Sequence, residues 1–262
     1  MTSSPQLSTR FFLPYSAVNA AGLAKADWLL EAFQDIASEH CHAMGISGLQ
    51  MAPKGLKWVM AQYRLTINAP IRWQTAFTLT TWRYPWNNLY ETRRFTLKDD
   101  AGSTLADATG IWILVKADSG KPLRLNRHLP PELMDQPPET DPGLIKTHPP
   151  IEPLNHCTRF PVLFRDLDLN QHVNNAVYFR WALESIPHPH GFHYLPETAS
   201  ISYLKECFYP ETVDCEVTVA KTQEGCCSDH AIIRPDTREV LARISLTWRP
   251  YQGLRRVHGQ PL

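Results

Sequence analysis

The sequence predicts an α+β fold of two similar halves in one chain, each a long helix with an antiparallel sheet able to wrap around it. Three observations lead there. The order short strand, helix, four strands occurs twice along the 262 residues. The strand-like runs alternate apolar and polar side chains and are separated by Gly- and Asp-containing turns, as in antiparallel meanders. A Pro-rich stretch stands between the two halves.

In chain order, "RFFLPY" is the first short strand. Residues 27–44, "DWLLEAFQDIASEHCHAM", set Leu29, Phe33, Ile36, Ala37, Cys41 and Met44 at helical spacing, with Asp27 able to cap the start and Gly45 to stop it. Four strands follow in "LKWVMAQYRLTI", "TAFTLTTWRY", "LYETRRFTLKD" and "TLADATGIWILVKA", with turns at "DDAG" and "DSGK". The prolines of "LPPELMDQPPETDPGLIKTHPPIEPL" mark an extended linker and exclude a strand. After it, "TRFPVLFRDLD" is strand-like, and a helix is predicted from about Asn175 to Ile186, stopped by Pro187. "ASISYLKECFY", "TVDCEVTVAK", "DHAIIRP" and "EVLARISLTWRPY" supply the last four strands. The predicted organisation is a first repeat over 1–129, a linker over 130–154 and a second repeat over 155–262. Neither sheet alone buries both faces, so packing one repeat against the other, a pseudo-dimer in one chain, is the expected solution.

Composition narrows the function classes. Lys plus Arg and Asp plus Glu both number 26, so no overall field draws the chain to nucleic acid or to a membrane surface. No apolar run is long enough to span a bilayer. The opening "MTSSPQLSTRFFLPYS" lacks a basic and apolar secretory signal and is short for a transit peptide before "FFLPY". Six cysteines at irregular spacing, with no CxxC, predict reduced thiols in a cytoplasm and no zinc site.

One stretch stands apart. In "FRDLDLNQHVNNAVYFRWALES", Asp166, Asp168, Asn170 and His172 occupy every second position. If extended, the segment turns these four to one face and Leu167 and Leu169 to the other. Acid, acid, amide and imidazole make a poor core and an unusual surface, and they predict a site. A capped turn would account for Asn174 but not for the alternation. Asp166 is left outside the candidate set, since capping, bracing Arg165 or facing solvent would account for it.

The stretch "DLDLNQHVNNAVYFRWALES", with "YLKEC" further on, resembles the acyl-acyl carrier protein thioesterases of plants and bacteria. The likeness extends to "GLKWVMAQYRL", "LTTWRY", "RRFTLKDDAG" and "ATGIWILV", roughly Phe11 to Tyr251. It implies a double hot-dog fold, two repeats of a long helix wrapped by a curved antiparallel sheet. It also implies hydrolysis of fatty acyl-acyl carrier protein, most nearly as in the bacterial enzymes, with no cofactor and no metal. The carrier protein would be the partner, and pairing of two chains stays open. Carried over residue by residue, the catalytic Asp, Asn and His fall on Asp168, Asn170 and His172, and a further acid falls on Glu206. Lys205 stands where relatives often have Arg. Cys207 is either a nucleophile or a packed residue, a buried thiol being inert unless its pKa is lowered. The first half, in "PYSAVNAAGLAKADW", lacks the motif, which implies one active site.

These residues suit a thioester, whose thiol of pKa ~8.5 leaves with little acid help. Water activation and an oxyanion site remain to be supplied. Glu206, alternating with Leu204 and Phe208 on a strand, is expected in an apolar setting that raises its pKa. Glu206 or Asp168 would act as general base, with Asn170 and His172 orienting. The helix start at Asn174 and Asn175 would offer backbone N–H groups to an oxyanion. The acyl chain needs an apolar tunnel at ~0.8 kcal/mol per buried CH₂. In the family this tunnel lies largely in the first repeat, where Met44, Met51, Trp58, Met60 and Trp112 are candidates.

Other residues carry blander readings. Trp58, Trp73, Trp82, Trp86 and Trp112 suit core or sheet packing, and only some of them can line a tunnel. His40, Cys41 and His42 are consecutive on a helix and face different ways, against a shared ion. His188, His190 and His193 read as exposed loop residues, and Arg124, Arg127, Arg255 and Arg256 as solvated charge, the alternative being contact with an acidic carrier protein. The rival functions are an acyl-coenzyme A thioesterase, a non-catalytic acyl-binding hot-dog module and, less favoured, a hot-dog dehydratase.

Overall fold

The computed structural model describes residues 5–135, 141–143, 148, 156–187 and 194–251. The chain divides into two compact units, one of Met1–Tyr15 with Leu29–Leu144, the other of Ser16–Trp28 with Ile145–Leu262.

In the first unit, β1 (Gln6–Phe12), β2 (Leu56–Ile67), β3 (Ala76–Trp86), β4 (Tyr90–Asp99) and β5 (Thr104–Lys116) form an antiparallel sheet in the order β1-β3-β4-β5-β2. Helix α1 (Ala26–Ala43) buries Leu29, Phe33, Ile36 and Ala37 at the predicted spacing. Phe33 stacks on Phe95 of β4 with ring centroids 5.0 Å apart. Gly45 ends the helix at φ 76°, a left-handed conformation that costs glycine nothing. Asp27 falls inside the first turn instead of at the cap; it belongs with Ser16–Trp28 to the second unit, where its carboxylate pairs with Arg180 at 2.7 Å. A one-turn α2 (Gly48–Met51) leads into β2. Leu129 and Leu133, at the head of the predicted linker, are buried in a core cluster with Ile46, Met51 and Leu56. Apolar side chains thus hold the start of this stretch in the core despite its prolines.

The first unit also buries charge. The Arg83 guanidinium makes a two-pronged ion pair with Glu91, Nη2 donating to Oε2 at 2.6 Å, and donates from Nη1 to the Leu133 carbonyl at 2.7 Å. Both side chains are almost fully buried. Beside them, Arg93 meets His40 Nδ1 at 3.0 Å and donates to Thr81 Oγ1 at 3.2 Å and Cys41 Sγ at 3.0 Å. His40 and Cys41 of the helical triplet therefore share an arginine.

In the second unit, β6 (His156–Pro161), β7 (Tyr194–Tyr203), β8 (Thr212–Lys221), β9 (Cys226–Ile233) and β10 (Val240–Pro250) run antiparallel in the order β7-β10-β9-β8-β6. Helix α3 (Asn175–Glu184) covers the sheet with Ala176, Val177, Tyr178, Phe179, Trp181 and Ala182. It ends two residues short of the predicted Ile186. The strand-like "TRFPVLFRDLD" stops at Pro161 and passes into a 3-10 turn, Phe164–Asp166. The run "ASISYLKECFY" leaves the sheet after Tyr203, where Leu204 and Lys205 both give their N–H groups to the Leu241 carbonyl and break the ladder.

All six cysteines are free thiols, and no helix among the described residues is long and apolar enough to cross a membrane. His188, His190, His193, Arg255 and Arg256 lie outside the described residues.

The second core holds a buried imidazole. Ser185 Oγ donates to the Ala182 carbonyl at 2.9 Å, so its contact with His230 Nδ1 at 3.1 Å is received from the ring. Ser228 Oγ accepts from Trp248 Nε1 at 2.8 Å and faces His230 Nε2 at 2.8 Å. These partners fit a neutral ring, and complete burial pushes its pKa down to about 3. Between about 3 and the ordinary ~6.5, the unfolded chain binds a proton that the native state refuses. Stability is therefore full above pH ~6.5 and falls with pH toward 3, by a few kcal/mol. Urea midpoints measured from pH 7 to pH 4 are expected to drop, with a shallower slope in His230→Gln.

Candidate active site

The candidate residues lie on two neighbouring loops of the second unit. The first loop is not extended from Arg165 to Val173. Asp168 donates its N–H to the His172 carbonyl at 2.8 Å, Gln171 donates to the Asp168 carbonyl at 3.0 Å, and Leu167 bridges to Val173. The chain reverses between them, with Gln171 at φ 63°. Asp168 drives the reversal: its Oδ1 accepts the Asn170 N–H at 2.8 Å, an Asx turn, and its Oδ2 accepts Asn170 Nδ2 at 3.3 Å. The alternating polar pattern is therefore the signature of a tight turn and not of a strand face. Asp166 is buried and braces the loop, its Oδ2 accepting the Leu163 N–H at 2.8 Å while its carbonyl accepts from Asn174.

The second loop, Leu204 to Pro210, runs beside the first, with the Val173 N–H donating to the Cys207 carbonyl at 2.9 Å. This brings Glu206 Oε1 to 3.2 Å from His172 Nδ1. Glu206 sits on a loop and is 39% exposed, beside an imidazole instead of in the apolar strand setting expected. The contact orients the imidazole and favours a proton on Nδ1. Phe208 packs edge-on against the His172 ring at 4.9 Å and sets its tilt. Arg234 donates to the Glu206 carbonyl at 2.7 Å and to Glu211 Oε2 at 2.8 Å, anchoring the loop. The sequence carried no signal for Arg234, which lies just past the end of β9.

The start of α3 offers less than expected. Asn174 Oδ1 accepts the Ala176 N–H at 2.9 Å, and its carbonyl accepts the Val177 N–H. Two of the leading donors are thus occupied by the cap. Cys207 is fully buried, and burial with neighbouring Glu211 pushes its thiol up to about 12. A thiol so protonated is a poor nucleophile.

The first half of the chain contains a geometric copy of both loops. Asn19 donates its N–H to the Leu23 carbonyl at 2.8 Å, Gly22 donates to the Asn19 carbonyl, and Asn19 Oδ1 accepts from Ala21 at 2.9 Å. Val18 bridges to Ala24, and Gly22 has φ 73°. Asn19, Ala21 and Leu23 thereby stand where the second half has Asp168, Asn170 and His172. Likewise Asn68 and Ala69 both donate to the Leu105 carbonyl, and Thr75 donates to Arg72, as Leu204, Lys205 and Glu211 do. Pro70 and Ile71 then match Glu206 and Cys207. The Asn170 amide, the His172 imidazole and the Glu206 carboxylate are replaced in the first copy by Ala21, Leu23 and Pro70. Buried Ile71 at the Cys207 position marks that place as one for packing.

Of the apolar candidates, Met44, Met51 and Trp58 belong to one cluster of the first unit. Met60 is the cross-strand partner of Trp112, two residues beyond the Trp58 and Leu114 pair on the same face. Trp58 thus belongs both to the cluster that holds Met44 and Met51 and to the face of β2 and β5 that carries Met60 and Trp112.

Comparison with known proteins follows the same division. Residues 6–133 match the acyl-ACP thioesterase N-terminal domain and 153–250 the C-terminal domain. An oleoyl-acyl carrier protein thioesterase of Arabidopsis thaliana, chloroplastic, is 27% identical over 76% of this chain and 59% of its own length. A palmitoyl-acyl carrier protein thioesterase of Gossypium hirsutum, chloroplastic, is 24% identical over 93% and 63%. The chain spans about three fifths of the length of these relatives. Among solved structures, the 12:0-ACP thioesterase from Umbellularia californica superposes with a TM-score of 0.84 at 19% identity, covering 95% of both chains. An acyl-ACP thioesterase from Bacteroides thetaiotaomicron gives 0.74 at 16%, covering 94% and 98%. The fold shared with these structures is the double hot-dog.

Proposed function

Because this chain belongs to the acyl-ACP thioesterase family, we propose that it hydrolyses fatty acyl-acyl carrier protein to free fatty acid and holo-carrier protein. The observation that carries the reading is the Glu206–His172 contact at 3.2 Å beside the Asp168–Asn170 turn. A binding module needs no such acid–base pair.

In this mechanism water attacks the thioester carbon and its proton passes to the Glu206–His172 pair. One N–H of the Asn170 amide is held by Asp168 Oδ2, and the other is left to donate to the developing oxyanion. Asp168 acts through Asn170 as a positioning residue. The carbonyl re-forms, the C–S bond breaks, and the thiolate leaves and is protonated. No step calls on a metal or cofactor. The apolar side chains of Met44, Met51, Trp58, Met60 and Trp112 are assigned to the acyl chain. We place the enzyme in the cytoplasm, where free thiols persist.

The test is thiol release from acyl carrier proteins of graded chain length, beside the matching acyl-coenzyme A series. A higher kcat/KM on the carrier-protein thioesters is expected, with Asn170→Ala lowering kcat by about 10²–10³. Preference for coenzyme A would transfer the activity to that carrier. Tight acyl binding with no thiol released would make the protein a binding module.

A further inference from the structure

Large apolar side chains cluster in the open around the candidate site. Leu169 is 85% exposed at the tip of the first loop and Phe164 is 78% exposed at its base. Leu163, Leu204, Phe208 and Tyr209 are exposed beside them. Phe164 and Tyr209 touch edge to face at 6.2 Å and so join the two loops, Phe208 touches His172, and Leu169 lies between Asp168 and Asn170 in the chain. Soluble proteins seldom leave such a patch bare without a binding role.

The copy in the first half shows which part of the patch belongs to the fold. There Tyr15 meets Trp73 edge to face at 5.4 Å, so the ring pair of Phe164 and Tyr209 recurs in both repeats. Leu169, Leu204 and Phe208, however, replace Ala20, Asn68 and Arg72 at the matching backbone positions. The exposed cations Arg165 and Lys205 replace Ser16 and Ala69. Apolar side chains were therefore added where Asn170, His172 and Glu206 stand, while the cations changed place: Arg165 and Lys205 appear, and Lys25 and Arg72 have no counterpart.

We propose that this collar is the docking surface for the acidic carrier protein that presents the thioester, a proposal that rests on the functional reading above. The thioester must arrive at Glu206 and His172 while attached to its carrier, so the carrier has to land on the rim of these loops. Leu169, Phe164 and Leu204 would supply the apolar centre, with Arg165 and Lys205 facing the acidic partner at the edge. Contact with Phe208 would couple docking to the tilt of the His172 ring.

The experiment compares Leu169→Ser and Phe164→Ser with the unaltered protein on one acyl group carried two ways, by acyl carrier protein and by N-acetylcysteamine. The expected result is a KM for the carrier-protein substrate raised about tenfold or more, with kcat/KM for the small thioester changed less than about twofold. A salt-sensitive loss in Arg165→Ser, again only with the carrier protein, would add support. Equal losses on both substrates, or none on either, would overturn the proposal. So would a dimer of the unaltered protein that both serine variants dissociate, which would assign the patch to a second copy. If the unaltered protein releases no thiol from acyl carrier protein, the functional reading fails and the docking surface with it. If it does and the variants keep its KM, the surface alone fails.

Discussion

Glu206→Gln is expected to lower kcat on acyl carrier protein substrates by about 10²–10⁴, the usual worth of a positioned acid–base group. The change keeps shape and hydrogen-bonding reach and removes only the charge that steadies a protonated His172 at 3.2 Å. Folding should be nearly untouched, within about 0.5 kcal/mol, because the side chain is partly solvated and off the sheet. Cys207→Ala provides the contrast. Its thiol is buried and pushed up to about 12, and the equivalent place in the first repeat holds Ile71, so turnover should persist. Trapping an acyl-enzyme on Cys207, with activity lost in Cys207→Ala and kept in Glu206→Gln, would reverse the assignment.

Glu91→Ala is expected to destabilise the protein by about 3–5 kcal/mol, read as a fall in the denaturant midpoint. The cost comes less from the lost attraction than from what remains. Arg83 has almost no solvent contact and would keep a full charge, left with its hydrogen bond to the Leu133 carbonyl. Replacing both partners by apolar residues, Arg83→Met with Glu91→Leu, should be far milder, since no buried charge is then left unmatched. Equal losses in the single and double variants would mean that shape, and not charge, governs this part of the core.

Much of the fold was legible because strands announce themselves by alternation. The run "LKWVMAQYRLTI" is β2 from end to end, and the Leu29, Phe33, Ile36 spacing located α1. The same rule misled where alternation had another cause. In Asp168, Asn170 and His172 it reflects an Asx turn closed at Gln171, and in "YLKEC" the strand ends at Tyr203 because one carbonyl takes two N–H groups. The candidate residues were nonetheless named together, because the family resemblance sets Glu206 with Asp168, Asn170 and His172 whatever the backbone does. The partner of Glu206 was not legible, since the 3.2 Å contact joins residues 34 positions apart across two loops. Nor was the loop copy at Asn19, where side-chain oxygen and left-handed residue survive while amide and imidazole are gone.

That copy separates architecture from chemistry within a single molecule. Asn19, Ala21 and Leu23 trace the same backbone path without any proton-transfer group, so the path owes nothing to catalysis. The backbone path of this loop is thus compatible with other side chains at the positions of Asn170 and His172. The blank loop near the N-terminus is a vacant mould into which a second set of reactive groups could be cast.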